Sequence, residues 1–300
     1  MQNDNQFLSR FYNYLVTDLD EESGVMWCYA NPSPRPCFTS ELLTDLVEFL
    51  DEVKNSIKND LLFNKNPRVK FLVLGSYRPG VFSLGGDLSL FIDCIRNNDR
   101  KSLTEYMRLS IDVLYKTYTN MDVPLTTIAL IRGNALGAGF EGALSCDYLI
   151  AERNVQLGFP EMLFNMFPGM GAYSFLARRI NIVDVEKMIL SGRIYSAEEL
   201  HNMGVVDVLS EDGDGLIEVS RFIDRYRRNQ NTKKAILKIR HRINPVTLEE
   251  LLDIGEVWVD AAMSLSDREL KVMERLIRSQ DRMYRTLVKP EEPLATVKAQ

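Results

Sequence analysis

Two residue types from which enzymes often build a site are scarce in this chain. Its 300 residues include 2 histidines and 4 cysteines. No H-E-x-x-H pattern and no C-x-x-C pair occurs, so a zinc site or a Ser-His-Asp triad has little material. The cysteines are also too few for a disulfide scaffold in a chain of this length. We expect buried free thiols and no metal ion, and we assign no role to His201 or His241.

Long apolar runs are missing as well. No stretch of about eighteen apolar residues occurs, and residues 1–20 lack the basic segment and apolar run of a secretory signal. We therefore expect a cytoplasmic protein that does not insert into a membrane. The 45% hydrophobic and 26% charged content is typical of an ordinary globular chain.

Basic residues are outnumbered overall. The chain has 36 Lys and Arg against 42 Asp and Glu, a net charge of −6. Because non-specific binding to nucleic acid depends on cations that neutralise phosphates, we expect no nucleic-acid partner. The window from Arg225 to Leu248 is nevertheless free of acidic residues. It is interpreted either as a solvated helix face or as a docking patch for an anionic partner, and the sequence leaves both open. Its basic residues are Arg225, Arg227, Arg228, Lys233, Lys234, Lys238, Arg240 and Arg242.

Strand and helix patterns alternate through the first two thirds of the chain. Strands are predicted at 26–29, 69–75, 125–131, 148–151 and 155–157, helices at 39–57 and 100–118, and a loop at 78–87. Beyond residue 214 only helices are predicted, at 216–226, 247–263 and 267–287. Such alternation indicates an α/β fold. We expect three parts: an N-terminal helical extension (1–22), a core with the active site (23–213) and a C-terminal helical subdomain (214–300).

Two glutamates beside glycine-rich turns are the strongest functional signal. Glu141 closes the run Gly-Asn-Ala-Leu-Gly-Ala-Gly-Phe-Glu, and Glu161 lies in Phe-Pro-Glu-Met-Leu-Phe. A carboxylate in apolar company is poorly solvated when ionised, so its pKa rises toward the range useful for proton transfer. Two such groups can divide acid and base roles. We predict that Glu141 and Glu161 are catalytic.

The glycine turns themselves offer backbone donors. Gly85-Gly86 precedes the stretch that begins at Asp87, and Gly137-Ala138-Gly139 precedes Glu141. Turns that enter helices have unpaired N–H groups and partial positive charge, which suit a developing oxyanion. We predict that the amides of Gly86 and Ala138 form a two-donor oxyanion hole, and that Asp87 is a helix cap.

These three motifs, in this order and spacing, resemble the crotonase superfamily, also called the enoyl-CoA hydratase/isomerase family. The first oxyanion loop is matched at 82–88, the second at 132–141, and the segment with the second acid at 157–171. The resemblance covers about residues 69–209. It implies a spiral of ββα units with a helical C-terminal part, assembled as a homo-oligomer, a trimer or a hexamer.

The late position of Gly85, the loop Gly-Gly-Asp-Leu-Ser-Leu-Phe and the tail rich in Arg and Met resemble one bacterial branch, the diffusible signal factor synthases. That resemblance implies dehydration of a 3-hydroxyacyl chain on acyl carrier protein, followed by thioester hydrolysis. The product would be a free cis-2-unsaturated fatty acid used in quorum sensing. The alternative is a conventional enoyl-CoA hydratase or isomerase, and a third hypothesis makes the chain a binding partner of a sensory receptor.

The resemblance also assigns roles at the site. Glu161 would remove the proton alpha to the thioester, and Glu141 would protonate the departing hydroxyl and later position water, although the sequence does not fix this division. The predicted substrate contacts are Gly85, Leu136, Gly137, Met170 and Trp258. For Trp258 and for Met162, Met166 and Met170, core packing is the competing interpretation. Acyl carrier protein or coenzyme A carries the substrate, the basic window fits either one, and no cofactor is implied.

Overall fold

Each turn of the chain through the core adds one strand to each of two sheets. The computed structural model describes residues 11–78 and 80–287. One sheet has six strands in the order β1-β2-β3-β5-β7-β10, and the other has four in the order β4-β6-β8-β9. The strands are β1 (Leu15–Asp20), β2 (Val25–Ala30), β3 (Phe71–Ser76), β4 (Gly80–Ser83), β5 (Thr126–Ile131), β6 (Gly133–Leu136), β7 (Tyr148–Glu152), β8 (Gln156–Gly158), β9 (Ile194–Ser196) and β10 (Val208–Ser210).

Helices separate and follow these strand pairs. They are α1 (Ser40–Leu62), α2 (Leu88–Arg96), α3 (Arg100–Tyr118), α4 (Ala138–Leu144), α5 (Ala172–Leu176), α6 (Ile182–Ser191), α7 (Ala197–Asn202), α8 (Gly215–Arg228), α9 (Gln230–Ile243), α10 (Leu248–Met263) and α11 (Asp267–Leu287). Short 3₁₀ helices lie at Asn120–Asp122 and Pro160–Phe164. The pairs β3-β4, β5-β6 and β7-β8 repeat the same step, which is the spiral of ββα units predicted from the resemblance.

The six-stranded sheet is covered on both faces. All six residues of β5 are buried, as in a parallel strand with a helix layer on either side. Helices α1 and α3 pack on one face in the main core, and α8 packs on the other through Phe222, Ile223 and Tyr226. This packing fixes the ends of the strands from which the glycine loops emerge.

The helix predictions are confirmed for the long amphipathic segments. Helix α3 runs from Arg100 to Tyr118 as predicted, and α1 begins at Ser40 with Thr39 as its cap, whose hydroxyl accepts the Leu42 N–H at 3.2 Å. Asp87 caps α2 by accepting the N–H groups of Ser89 and Leu90 at 3.0 and 3.3 Å. Residues 215–287 of the C-terminal region are largely helical, as expected.

Two predictions are wrong. The N-terminal extension (1–22) was expected to be helical, but residues 15–20 form β1, antiparallel to β2, with exposure alternating along the strand. Because an edge strand with one buried face keeps only every second side chain inside, its polar residues imitate a helix surface. Residues 1–10 of that extension lie outside the described part. The loop predicted over 78–87 contains β4, whose Gly80 and Val81 pair with Gly133 and Asn134 of β6.

Candidate active site

The first oxyanion loop is held by neighbouring backbone on one side. Leu84 N–H donates to Pro36 O at 2.7 Å and Phe38 N–H to Gly85 O at 2.9 Å. The buried Tyr106 hydroxyl donates to Phe38 O at 2.7 Å and accepts Asp87 N–H at 3.4 Å. Among the described residues, Gly86 N–H donates to no other group, so it stays available to a ligand.

The second oxyanion loop meets the first at close range. Gly85 has φ +106°, and a Cβ built on it would lie 3.3 Å from Leu136 O and 3.7 Å from Ala138 N. Ala138 is the first residue of α4, and within 11–78 and 80–287 its N–H has no acceptor. The fold therefore brings two unpaired amides together, as an oxyanion hole requires.

Glu141 is buried yet well supplied with donors. It is 1% exposed, and its Oε1 accepts the N–H groups of Met170 and Ala172 at 2.8 and 3.0 Å. Burial raises its pKa to about 7, and the hydrogen bonds from Ala172, Met170 and Gly171 oppose that rise. These backbone donors stabilise the carboxylate form of Glu141.

Glu161 has the opposite environment. Its Oε2 is buried and has no hydrogen-bond partner among the described residues. Burial, and then the charge of Glu141, raise its pKa to about 8. Gly137, at φ +53°, is the residue that permits this approach, because a Cβ there would collide with Glu161 Oε1. At neutral pH the protonated form of Glu161 is favoured.

All predicted site residues border one cavity of about 310 Å³. They are Glu141, Glu161, Gly86, Ala138, Gly85, Leu136, Gly137, Met170 and Trp258. Their roles stay predictions. Trp258, from α10, is 5% exposed and packs edge-to-face on Phe91 with ring centroids 5.1 Å apart. Met162 is 40% exposed and Met166 is buried, and neither is among the residues that line the cavity.

Several cavity residues escaped the sequence interpretation. Tyr106 and Phe91 lie on helices whose spacing indicates only an apolar face. The last described helix, α11, forms one wall through Leu276, Ser279, Gln280 and Met283. Gln280 donates to Leu84 O at 3.2 Å, which ties this wall to the first oxyanion loop. No local motif marks such long-range contacts, so only the spatial arrangement reveals them.

The basic window lies elsewhere. Tyr226 packs on Phe71 and hydrogen bonds to Thr126 at 3.1 Å, so the end of α8 sits at the first residues of β3 and β5. Lys233 of α9 lies over the rings of Phe222 and Tyr226. No residue of α8 or α9 lines the cavity. The basic window therefore forms no part of the cavity wall, and its two interpretations, a solvated helix face and a docking patch, both stay predictions.

Comparison with known proteins assigns the class. The chain belongs to the enoyl-CoA hydratase/isomerase family, whose model matches residues 29–221. It is 28% identical over 195 residues to the fatty acid oxidation complex subunit alpha of Vibrio parahaemolyticus, covering 63% of this chain and 26% of that protein. It is 25% identical over 207 residues to the probable enoyl-CoA hydratase echA17 of Mycobacterium avium, covering 69% and 74%. The chain thus spans about a quarter of the first relative.

The fold matches solved structures over nearly the whole chain. Human mitochondrial delta3-delta2-enoyl-CoA isomerase superposes with a TM-score of 0.74 at 19% identity, covering 90% of this chain and 99% of that one. At this identity the likeness is one of fold. Within the described ranges, no helix is long and apolar enough to cross a membrane, and no cluster of side chains suits a metal ion.

Proposed function

We propose that the chain catalyses the reversible addition of water across the C2–C3 double bond of an acyl thioester, as an enoyl hydratase does. The observation that carries this proposal is the unequal pair of carboxyl groups beside two free amides. Glu141 is supplied with donors that favour the carboxylate, whereas Glu161 has an oxygen without a partner in the described part of the chain, which favours the acid. An addition of water needs one base and one acid in just this state.

The thioester oxygen would accept hydrogen bonds from Gly86 N–H and Ala138 N–H, which stabilises the enolate. Glu141 removes a proton from water, the hydroxide oxygen bonds to C3, and Glu161 delivers its proton to C2. After the step Glu141 holds the proton and Glu161 is ionised. Elimination of water runs from that second state, in which Glu161 removes the C2 proton and Glu141 protonates the leaving hydroxyl.

A second candidate function adds thioester hydrolysis to the elimination. It rests on the resemblance of the loop at 85–91, of its late position and of the tail rich in Arg and Met to the diffusible signal factor synthases, and on the position of Glu141 beside the two loops. A water activated by Glu141 can add to C1, whose oxygen is already bound by the two amides. The C1–S bond then breaks, the thiol leaves with a proton, and a free 2-unsaturated acid remains.

The deciding experiment compares products by mass spectrometry. Purified protein is incubated with 3-hydroxydodecanoyl-acyl carrier protein and, separately, with 2-dodecenoyl-CoA, each beside Glu141→Ala. Interconversion of hydroxyacyl and enoyl thioesters, lost in the variant, supports the hydratase. Free unsaturated acid that also depends on Glu141 supports the second candidate. Absence of turnover on both substrates contradicts both functions and favours the role of a receptor-binding protein, which co-purification with a sensory receptor would test.

A homo-oligomer belongs to the same proposal. Three isoleucines of α9, Ile236, Ile239 and Ile243, are 52%, 54% and 78% exposed on a helix that otherwise carries basic residues. Exposed apolar side chains at this spacing suit a subunit contact. Sedimentation of the wild type against Ile239→Glu tests it: a trimer or hexamer that dissociates in the variant supports the contact, and a monomeric wild type contradicts it.

A further inference from the structure

In the first oxyanion loop, one main-chain donor is left free between anchored neighbours. Within residues 11–78 and 80–287, Gly86 N–H has no acceptor. The other N–H groups of residues 84–87 all donate inside the protein: Leu84 to Pro36 O at 2.7 Å, Gly85 to Ser83 Oγ at 3.3 Å and Asp87 to Tyr106 Oη at 3.4 Å. The loop is therefore fixed around the one donor that a ligand can reach.

The direction of that donor follows from the strand-like pairing of the loop. Gly86 forms a parallel bridge with Phe38. In a parallel pair the partner bonds to the two neighbours of such a residue, so the residue's own N–H points away from the partner. Phe38 N–H donates to Gly85 O at 2.9 Å, which is the first of these two bonds. Gly86 N–H therefore points away from Phe38, and Gly86 lines the cavity that holds the two glutamates.

The second bond of the pair runs through a side chain. The Tyr106 hydroxyl accepts Asp87 N–H at 3.4 Å and donates to Phe38 O at 2.7 Å, so it relays a bond that main-chain groups make directly in a regular ladder. A Cβ on Gly86 would lie 3.1 Å from Tyr106 Oη, so the relay is directly beside the donor residue. The orientation of Gly86 thus depends on this hydroxyl.

Tyr106 is itself held rigidly. It lies on α3, is 3% exposed and packs edge-to-face on Phe91 with ring centroids 5.1 Å apart. Burial raises the pKa of its hydroxyl, so the group stays protonated and keeps its proton for Phe38 O.

A second side chain holds the start of the loop. Gln280 of α11 donates through Nε2 to Leu84 O at 3.2 Å. Its helix is attached to α2 by the ion pair of Glu274 with Arg96 at 2.7 Å. Leu84 is bonded through its N–H as well, and both bonds limit rotation of the peptide units that precede Gly86.

The second oxyanion loop is held by main-chain groups instead. Gly137 N–H donates to Gly158 O at 2.9 Å, and Gly137 O accepts the N–H groups of Phe140 and Glu141 at 2.8 and 3.0 Å. These bonds persist when side chains change. Substitutions at Tyr106 and Gln280 can therefore disturb the first donor of the oxyanion hole separately from the second.

We propose that Tyr106 and Gln280 are positioning residues, which aim Gly86 N–H at the thioester oxygen. This rests on the proposed function, in which that amide stabilises the enolate. Both side chains act through the main chain of the loop. Because catalysis depends on exact placement, a shift of about 1 Å in a positioned group can lower a rate by about 10²-fold.

The kinetic test uses Tyr106→Phe, Gln280→Met and the matched control Tyr226→Phe. Tyr226 is also buried with its hydroxyl hydrogen bonded, to Thr126 at 3.1 Å, but it does not line the cavity. With 2-dodecenoyl-CoA, we expect Tyr106→Phe to lower kcat by about 10 to 100-fold and Gln280→Met to lower it less. KM should change little, because the lost stabilisation belongs to the transition state. The control should change neither constant.

The second test observes the hydrogen bonds to the carbonyl by difference infrared spectroscopy of bound [1-¹³C]butanoyl-CoA. Every form also carries Glu141→Gln, so that neither proposed reaction consumes the probe. Bonds from both amides should lower the carbonyl stretching frequency of the parent form below its value in water. Tyr106→Phe and Gln280→Met should return the frequency toward that value, and Tyr226→Phe should not.

These results separate the proposal from the function. A raised frequency in both variants supports the positioning role even if the wild type hydrates no enoyl thioester. A frequency that both variants leave unchanged overturns the role even if the wild type is active, and so does an equal rise in the control. No lowering in the parent form overturns both the role and the oxyanion hole.

The two residues are also judged singly. A change in one variant alone overturns the role of the other residue. If Tyr106→Phe does not fold, the half-buried Gln280 decides, and an unchanged frequency in Gln280→Met then contradicts the proposal.

Discussion

Glu161 and Asp147 are both carboxyl groups withdrawn from water, yet their surroundings differ in kind. Asp147 lies just before β7, where its Oδ2 accepts Thr127 N–H at 3.0 Å and its backbone N–H donates to Thr127 at 2.9 Å. His241 lies 3.9 Å from Oδ1 and stacks on Tyr118. Among the described residues, Glu161 Oε2 has no hydrogen-bond partner, and the charge that raises its pKa is that of another acid, Glu141.

The comparison shows that burial alone does not define a reactive group. Burial raises the pKa of Asp147 to about 6 and that of Glu161 to about 8. Asp147 is hydrogen bonded to Thr127 of β5, and the charges of Arg179 and Arg240 favour its carboxylate form. These interactions stabilise the fold. The buried Oε2 of Glu161, which has no hydrogen-bond partner among the described residues, lowers the stability of the fold. The same oxygen is available to exchange a proton with a substrate.

The largest expected difference is in catalysis. Glu141→Gln and Glu161→Gln should each lower kcat by about 10² to 10⁴-fold, because each removes a positioned acid or base. Asp147→Asn should leave kcat per folded molecule nearly unchanged. Steady-state kinetics with circular dichroism as a check of folding measures this, and a fully active Glu141→Gln, Glu161→Gln double variant would refute the mechanism.

A pH profile sharpens the contrast next. With the pKa of Glu141 near 7 and that of Glu161 near 8, hydration should fall below about pH 7, where Glu141 is protonated, and above about pH 8, where Glu161 is ionised. Each limb should approach about a tenfold change per pH unit. A flat kcat/KM between pH 5 and 10 would be inconsistent with this pair.

Substitutions at the two acids should change the stability of the fold in opposite directions. Because the folded pKa of Glu161 exceeds its ordinary value of 4.5, wild-type stability falls as pH rises from about 4.5 through about 8. Glu161→Gln removes the part of that fall that Glu161 contributes, while the raised pKa values of Glu141 and Asp147 still contribute theirs. The variant should be more stable than the wild type at pH 9, by about 1–3 kcal/mol. Asp147→Ala leaves the Thr127 N–H unpaired and should lose a similar amount. Urea unfolding at pH 5 and pH 9 measures both, and a destabilised Glu161→Gln at pH 9 would reverse the interpretation.

The smallest effect is expected at the basic helix. Lys234 and Lys238 lie on α9, away from the residues that line the cavity. The double change to Gln should alter kcat/KM for a CoA thioester by less than about twofold at ordinary ionic strength. A large, salt-dependent loss would show that this surface guides the substrate after all.

The sequence predicted the long elements better than the short ones. Helices α3, α10 and α11 have enough turns for an apolar stripe to show, and their predicted bounds agree with the structure. Strands β4 and β6 are four residues each and contain the glycines of the loops, so their pairing leaves no periodic pattern. In β1 the alternating pattern is present, but its polar exposed side resembles the surface of a helix, so the sequence predicts the wrong element.

In the candidate site, too, the sequence predicts the residues of local motifs and misses those that long-range contacts bring in. Glu141 and Glu161 stand in local motifs, so their spacing along the chain located them. Tyr106 and Gln280 act through hydrogen bonds to Phe38 O and Leu84 O, which depend on segments 68 and 196 positions distant. A contact of that kind arises only when the whole spiral has formed, and no pattern near either residue indicates it.

The donors that hold the reacting groups have a consequence for how this protein can diversify. In the proposed reaction Gly86 and Ala138 would offer main-chain amides to the thioester, and Glu141 accepts hydrogen bonds from the main-chain amides of Met170 and Ala172. A substitution at Ala138, Met170 or Ala172 by any residue except proline keeps those amides while it changes the surface beside them. Under the proposed mechanism, single substitutions can therefore alter which molecules the site accepts while its hydrogen-bond donors stay the same.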